Sequence, residues 1–157
     1  MIDIIVDDGI DDLSIPPHAD IRTAVETACR SAGLPAAEPE LCIRFATDAA
    51  VQALNRRWRG RDKVTDVLSF PMQESPSFDL TQPLGDIVLA MPFVLHEAER
   101  LELPPASHIL HLVVHAVLHL LGHEHDADAD AEAMQGLERD IMRSLGLHDP
   151  YPDPEQP

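Results

Sequence analysis

Apolar positions recur along this chain with two different periods, and the switches between them predict the order of its elements. Residues 2–6 are apolar and β-branched apart from Asp3 and predict a strand, while the helical periodicity of residues 19–32 is closed by Gly33. Pro35 and Pro39 then mark a loop. Leu41, Cys42, Ile43, Arg44 and Phe45 alternate like a half-buried strand, after which Thr47 or Asp48 caps a helix running to Arg59 and stopping at Gly60. Thr65 to Phe70 predicts a third strand ended by Pro71, followed by a loop rich in Ser, Pro and Gln as far as Leu84. Gly85 to Met91 predicts the fourth strand, and Pro92 suits the first turn of a helix reaching Leu101. Pro104 and Pro105 separate it from a helix over residues 106–121, which Gly122 ends. A last helix spans residues 128–145 and stops at Gly146.

Strands and helices interleave early and helices dominate late, which predicts an α+β fold: a single domain over residues 1–148 with a small mixed four-stranded sheet packed against helices. Its centre is expected to be the helix at 106–121. There Leu110, Val113, Val114, Val117 and Leu121 form one stripe, and Leu112, Leu118 and Leu120 extend the apolar surface nearly all round. Such a helix is buried. The tail over residues 149–157 holds four prolines in nine positions and is expected to be disordered.

Composition changes this picture little. With 157 residues, 45% of them hydrophobic, the chain can bury one core without disulfides, and its 4% aromatics leave Leu, Ile, Val and Ala to fill it. Cys29 and Cys42 form no C-x-x-C pair and read as buried free thiols. The segment from Met1 to Asp8 has no basic residue and no long apolar run, so no secretory signal is expected. The longest apolar segment, 109–121, is interrupted by His111, His115 and His119 and is too short to cross a bilayer. A cytoplasmic location without membrane attachment is the expectation.

Charge matters more. A net charge of −17 argues against a general polyanion binder, because nucleic-acid affinity depends on neutralising phosphates. Yet Arg56, Arg57, Arg59, Arg61 and Lys63 gather five of the 11 basic residues between positions 56 and 63. Any phosphate-binding surface is therefore local, and a solvated basic turn is the competing explanation.

Candidate chemistry sits on the apolar helix. His115 and His119 are four residues apart, so their imidazoles leave one helical face and can reach a common ion. Gly122 permits a left-handed turn that folds the chain back and brings His125 within reach as a third ligand. Three imidazoles with an open fourth position describe a catalytic rather than a structural zinc site, in which the ion lowers the pKa of a bound water to about 7. His123, His111, Glu124 and Asp126 are alternatives to His125 or outer partners of the site. The competing explanation is a solvent-facing histidine stripe continued by His108 and His111; burial of the helix argues against it, since unpartnered buried imidazoles are costly.

The ligand spacing H-x-x-x-H-x-x-G-x-x-H is also that of the metzincin proteases. Those enzymes need a Glu directly after the first His as general base, and Ala116 stands there. A zinc peptidase or other small-molecule hydrolase is accordingly the weakest expectation.

The run His115-Ala-Val-Leu-His119-Leu-Leu-Gly122-His-Glu-His125 resembles the signature H-G-x-L-H-L-x-G-[YH]-x-H of the YbeY family, with Ala116 where that family has Gly. Leu54-Asn55, Trp58-Arg59-Gly60, Asp62-Lys63 and the stretch from Thr65 to Pro71 resemble a second block of that family, and Gly85-Asp86-Ile87 a third. The resemblance implies a zinc-dependent, single-strand-specific endoribonuclease that matures ribosomal RNA, notably the small-subunit 3′ end, and serves ribosome quality control. It implies one Zn2+ on His115, His119 and His125, with Arg59 as the functional basic residue beside it. Arg57, Arg61 and Lys63 are candidate RNA-binding residues. It also implies single-stranded RNA, the small ribosomal subunit, a small-subunit ribosomal protein and an Era-type GTPase as partners. A non-catalytic assembly factor, with zinc only fixing the last helix, is the alternative that the acidic surface favours. Thr65-Asp66 and Gly85-Asp86 read as strand-entry turns, and Trp58 reads as a core residue in preference to a platform on which a base stacks.

Overall fold

A computed structural model describes residues 1–75, 77–123 and 127–152. The chain runs β1 (Ile2–Val6), α1 (His18–Ser31), β2 (Leu41–Ala46), α2 (Asp48–Arg59), β3 (Val67–Pro71), β4 (Gly85–Ala90), α3 (Met91–Arg100), α4 (Pro105–Leu120) and α5 (Asp128–Ser144), with one short 3-10 turn at Asp12–Ser14. The four strands form one sheet in the order β1-β2-β4-β3. β1 pairs with β2 and β2 with β4 in parallel, whereas β3 joins β4 antiparallel, so the sheet is mixed as the pattern predicted.

The alternation along the central strands sends side chains to two apolar layers. Leu41, Ile43 and Phe45 of β2, with Ile87 and Leu89 of β4, join the large cluster shared with α1, α4 and α5. Ala46, Val88 and Ala90 point to the smaller cluster with Val51 of α2 and Leu68 of β3. α4 lies at the centre of the larger layer: Ile109, Val113, Val114, Ala116, Val117 and Leu118 are all fully buried. The third strand starts two residues later than its pattern suggests. Asp66 forms the turn before it, where Asp66 Oδ1 accepts from the Val67 N–H at 2.7 Å and the Asp66 carbonyl accepts from the Ala90 N–H at 3.0 Å. Pro71 closes this edge strand, where a missing N–H costs no ladder bond on the open side.

Gly85 is fixed by crowding: its φ is +151°, and a Cβ there would run into the Phe70 carbonyl oxygen and lie 2.8 Å from Leu120 Cδ2. This close approach seats β3 against the end of α4. Among the described residues no single helix is long and apolar enough to cross a membrane.

Candidate metal centre and basic cleft

α4 presents its histidines along one edge. His115 Nε2 and His119 Nε2 face each other at 3.0 Å, with ring centroids 4.5 Å apart and planes at 81°. Two imidazoles sharing a tetrahedral zinc at about 2.0–2.1 Å would hold their nitrogens roughly 3.3 Å apart, so the pair fits a common ion with a small adjustment. His125 lies outside the described residues, together with Glu124 and Asp126. Among the described residues no group of three or more metal-binding side chains is gathered. Gly122 has φ +90°, and the His123 N–H donates to the Leu118 carbonyl at 3.0 Å, the left-handed helix end that the glycine predicted.

The rest of the histidine edge is not a solvent-facing stripe. His108 is buried, with Nε2 2.6 Å from Glu97 Oε1 of α3. His111 Nε2 lies 3.1 Å and His115 Nδ1 2.7 Å from the same oxygen, Oε1 of Glu138 on α5. The second oxygen of Glu138 accepts from the Tyr151 hydroxyl at 2.7 Å. Burial pushes the Glu138 carboxyl up, but hydrogen bonds from His111, His115 and Tyr151 outweigh it and hold the group down at about 2. Burial also pushes the Tyr151 phenol up, and the bond to Glu138 adds to it.

The basic segment meets the histidines across an open cleft of about 630 Å³ lined by Asn55, Arg59, Arg61, Lys63, His115 and His119 among others. Gly60 in the left-handed conformation ends α2 and turns the chain, and buried Asn55 donates from Nδ2 to the Lys63 carbonyl at 3.0 Å, fixing the loop that carries Arg61 and Lys63. Arg59 Nη2 donates to the Ser69 carbonyl at 2.6 Å, and its guanidinium lies 5.8 Å from the Phe70 ring centre. Ser69 Oγ in turn donates to the Ala116 carbonyl at 3.2 Å, tying β3 to the histidine helix. Ala116 itself is fully buried, so the extra methyl lies within the core.

Of the candidate basic residues, Arg59, Arg61 and Lys63 line the cleft; Arg57 does not, and lies 5.0 Å from the Trp58 ring centre instead. Trp58 corrects the sequence expectation. It is 63% exposed rather than part of the core, because the last turn of α2 extends past the apolar layer that holds Val51. The residues that sequence reasoning missed are Glu138 and Tyr151. A signal existed for the first: Glu138 falls on the buried stripe of α5 with Met134, Ile141 and Met142, a position where a carboxylate must have partners.

A sequence profile described as Endoribonuclease YbeY matches residues 11–146, which include both walls of the cleft. The chain belongs to the YbeY endoribonuclease family. The Endoribonuclease YbeY of Azorhizobium caulinodans is 43% identical over 99% of this chain and 98% of its own length. That of Alkalilimnicola ehrlichii is 47% identical over 90% and 86%, and that of Rhizobium meliloti 41% over 88% and 89%. The fold also matches the solution structure of TM1509 from Thermotoga maritima, with a TM-score of 0.56 at 20% identity over 98% of this chain and all of that one. Family membership thus agrees with the resemblance carried by the histidine and Trp58-Arg59-Gly60 blocks.

Proposed function

We propose that this YbeY family member is a zinc-dependent endoribonuclease that cuts single-stranded RNA, acting in the cytoplasm on ribosomal RNA, notably the small-subunit 3′ end, and in ribosome quality control. The observation that carries this reading is the shared cleft, which joins Arg59, Arg61 and Lys63 to His115 and His119. His115, His119 and His125 would hold one Zn2+. When bound, the ion supplies a Lewis acid for the phosphodiester and lowers the pKa of water.

The chain's own residues do the positioning. Arg59 uses one of its five N–H donors on the Ser69 carbonyl, which anchors the guanidinium beside the histidines. Its remaining donors suit two phosphate oxygens and stabilise charge that grows on them during cleavage. Arg61 and Lys63 hold neighbouring phosphates and set the path of the strand. The small ribosomal subunit, one of its proteins and an Era-type GTPase are the proposed partners. The net charge of −17 favours contact with basic ribosomal proteins, and it supports a second reading in which the chain only assists assembly.

Ribonuclease activity of the purified protein beside His115→Ala and Arg59→Ala tests the proposal. Loss of one charge-stabilising donor is expected to lower turnover about 100- to 1,000-fold for Arg59→Ala, and the histidine variant should fall at least as far. Equal activity in the three preparations would identify a contaminant and sink the nuclease reading.

A further inference from the structure

We infer that Glu138 is the positioning residue of the metal centre and that Tyr151 holds Glu138 in place. This rests on the reading that His115 and His119 share a metal ion. Glu138 is fully buried in the core stripe of α5, where an apolar side chain would pack at no electrostatic cost. Its carboxylate instead takes three donors, His111 and His115 on one oxygen and Tyr151 on the other.

Both carboxylate oxygens face groups that can donate, two imidazole nitrogens on one and a phenol on the other, so the carboxylate is placed as acceptor and the 2.7 Å contact puts the proton of His115 on Nδ1. Nε2 is then left with its lone pair, and that is the nitrogen facing His119 Nε2 at 3.0 Å. Glu138 therefore decides both things a metal-binding imidazole needs decided: which nitrogen carries the proton and where the other one points. A carboxylate that merely satisfied a core network would not need to meet the far nitrogen of this particular ring.

Tyr151 comes from the segment after α5, which is tied back to that helix. Arg139 Nη2 donates to the Tyr151 carbonyl at 2.6 Å, Arg139 Nε pairs with Asp149 Oδ1 at 3.4 Å, and the Tyr151 N–H donates to the same Asp149 oxygen at 2.9 Å. The segment at 149–151 thus belongs to the site, since it places the hydroxyl that restrains the second oxygen of Glu138.

Two measurements test the inference. Imidazole nitrogen shifts of the metal-free wild-type protein should report His115 protonated at Nδ1 and not at Nε2. Competition with a chromophoric chelator should then give Glu138→Gln a zinc affinity about 10- to 100-fold weaker, and Tyr151→Phe a smaller loss, under about 10-fold. The melting temperatures of the metal-free forms separate this from general destabilisation. His115 protonated at Nε2, or Glu138→Gln binding zinc as tightly as the wild type, would overturn the inference alone. Should Glu138→Gln not fold, the wild-type tautomer and Tyr151→Phe decide it. A wild-type protein that takes up no zinc would remove the metal reading itself, and this inference with it.

Discussion

The wall of the cleft that carries Arg59, Arg61 and Lys63 comes from one short stretch of chain, whereas the wall that carries His115 and His119 is assembled from three. On the basic side a helix end, a left-handed Gly60 and one buried amide, Asn55, are enough to shape the loop. Its long side chains stay exposed, and among the described residues Arg59 is pinned through the Ser69 carbonyl. On the histidine side α4 is packed into the core, α5 supplies a buried carboxylate and the segment after α5 supplies the hydroxyl that holds it. The difference follows from what the proposed function asks of each wall. A strand of RNA is held by charges that can tolerate small displacements, while a metal site needs nitrogens placed within a fraction of an ångström.

Variants of the two walls are expected to fail in different ways. The largest effect is expected for His119→Ala, which should lose more than about 100-fold in zinc affinity, since even outer partners of a ligand cost 10- to 100-fold. Arg59→Ala should bind zinc like the wild type and lose RNA cleavage instead. Chelator competition on both proteins checks this, and an Arg59→Ala protein unable to hold zinc would break the comparison.

A smaller effect is expected at Trp58. Its 63% exposed ring beside Arg57 offers a flat face to an unpaired base. Trp58→Ala should weaken single-stranded RNA binding by about 1–3 kcal/mol, the usual worth of one stacked base, with little change in melting temperature. A drop of several degrees in melting temperature at unchanged RNA affinity would assign Trp58 to packing after all.

The smallest effect concerns Arg61 and Lys63. Each phosphate contact removed from a single strand should lower the slope of log affinity against log salt by about 0.7. Titrations of Arg61→Ala and Lys63→Ala at several salt concentrations sharpen the picture residue by residue; an unchanged slope would mean that the residue lines the cleft without touching RNA.

The elements were legible because they depend on local chemistry. Periodicity and punctuation by Gly60, Gly122, Pro71 and Pro105 mark the helices and strands to within a few residues, and the apolar run around Val113 and Val117 announced the central helix. The facing pair of His115 and His119 could be read from its spacing because an α-helix converts a four-residue interval into one face. Trp58 was misplaced because an aromatic residue at a helix end packs or not according to how far the neighbouring layer extends, which no local pattern records.

What the sequence determined by itself was the set of reactive groups and their local spacing: two histidines one turn apart, a basic turn and a glycine in the left-handed conformation between them and His125. What only the tertiary structure decided was their company. Glu138 lies 23 positions from His115 and Tyr151 another 13 beyond, so their meeting depends on how α5 packs against α4 and on the return of the chain after it. Hydrogen bonds over such separations are set by the packing of whole elements, and that packing is a property of the fold rather than of any segment.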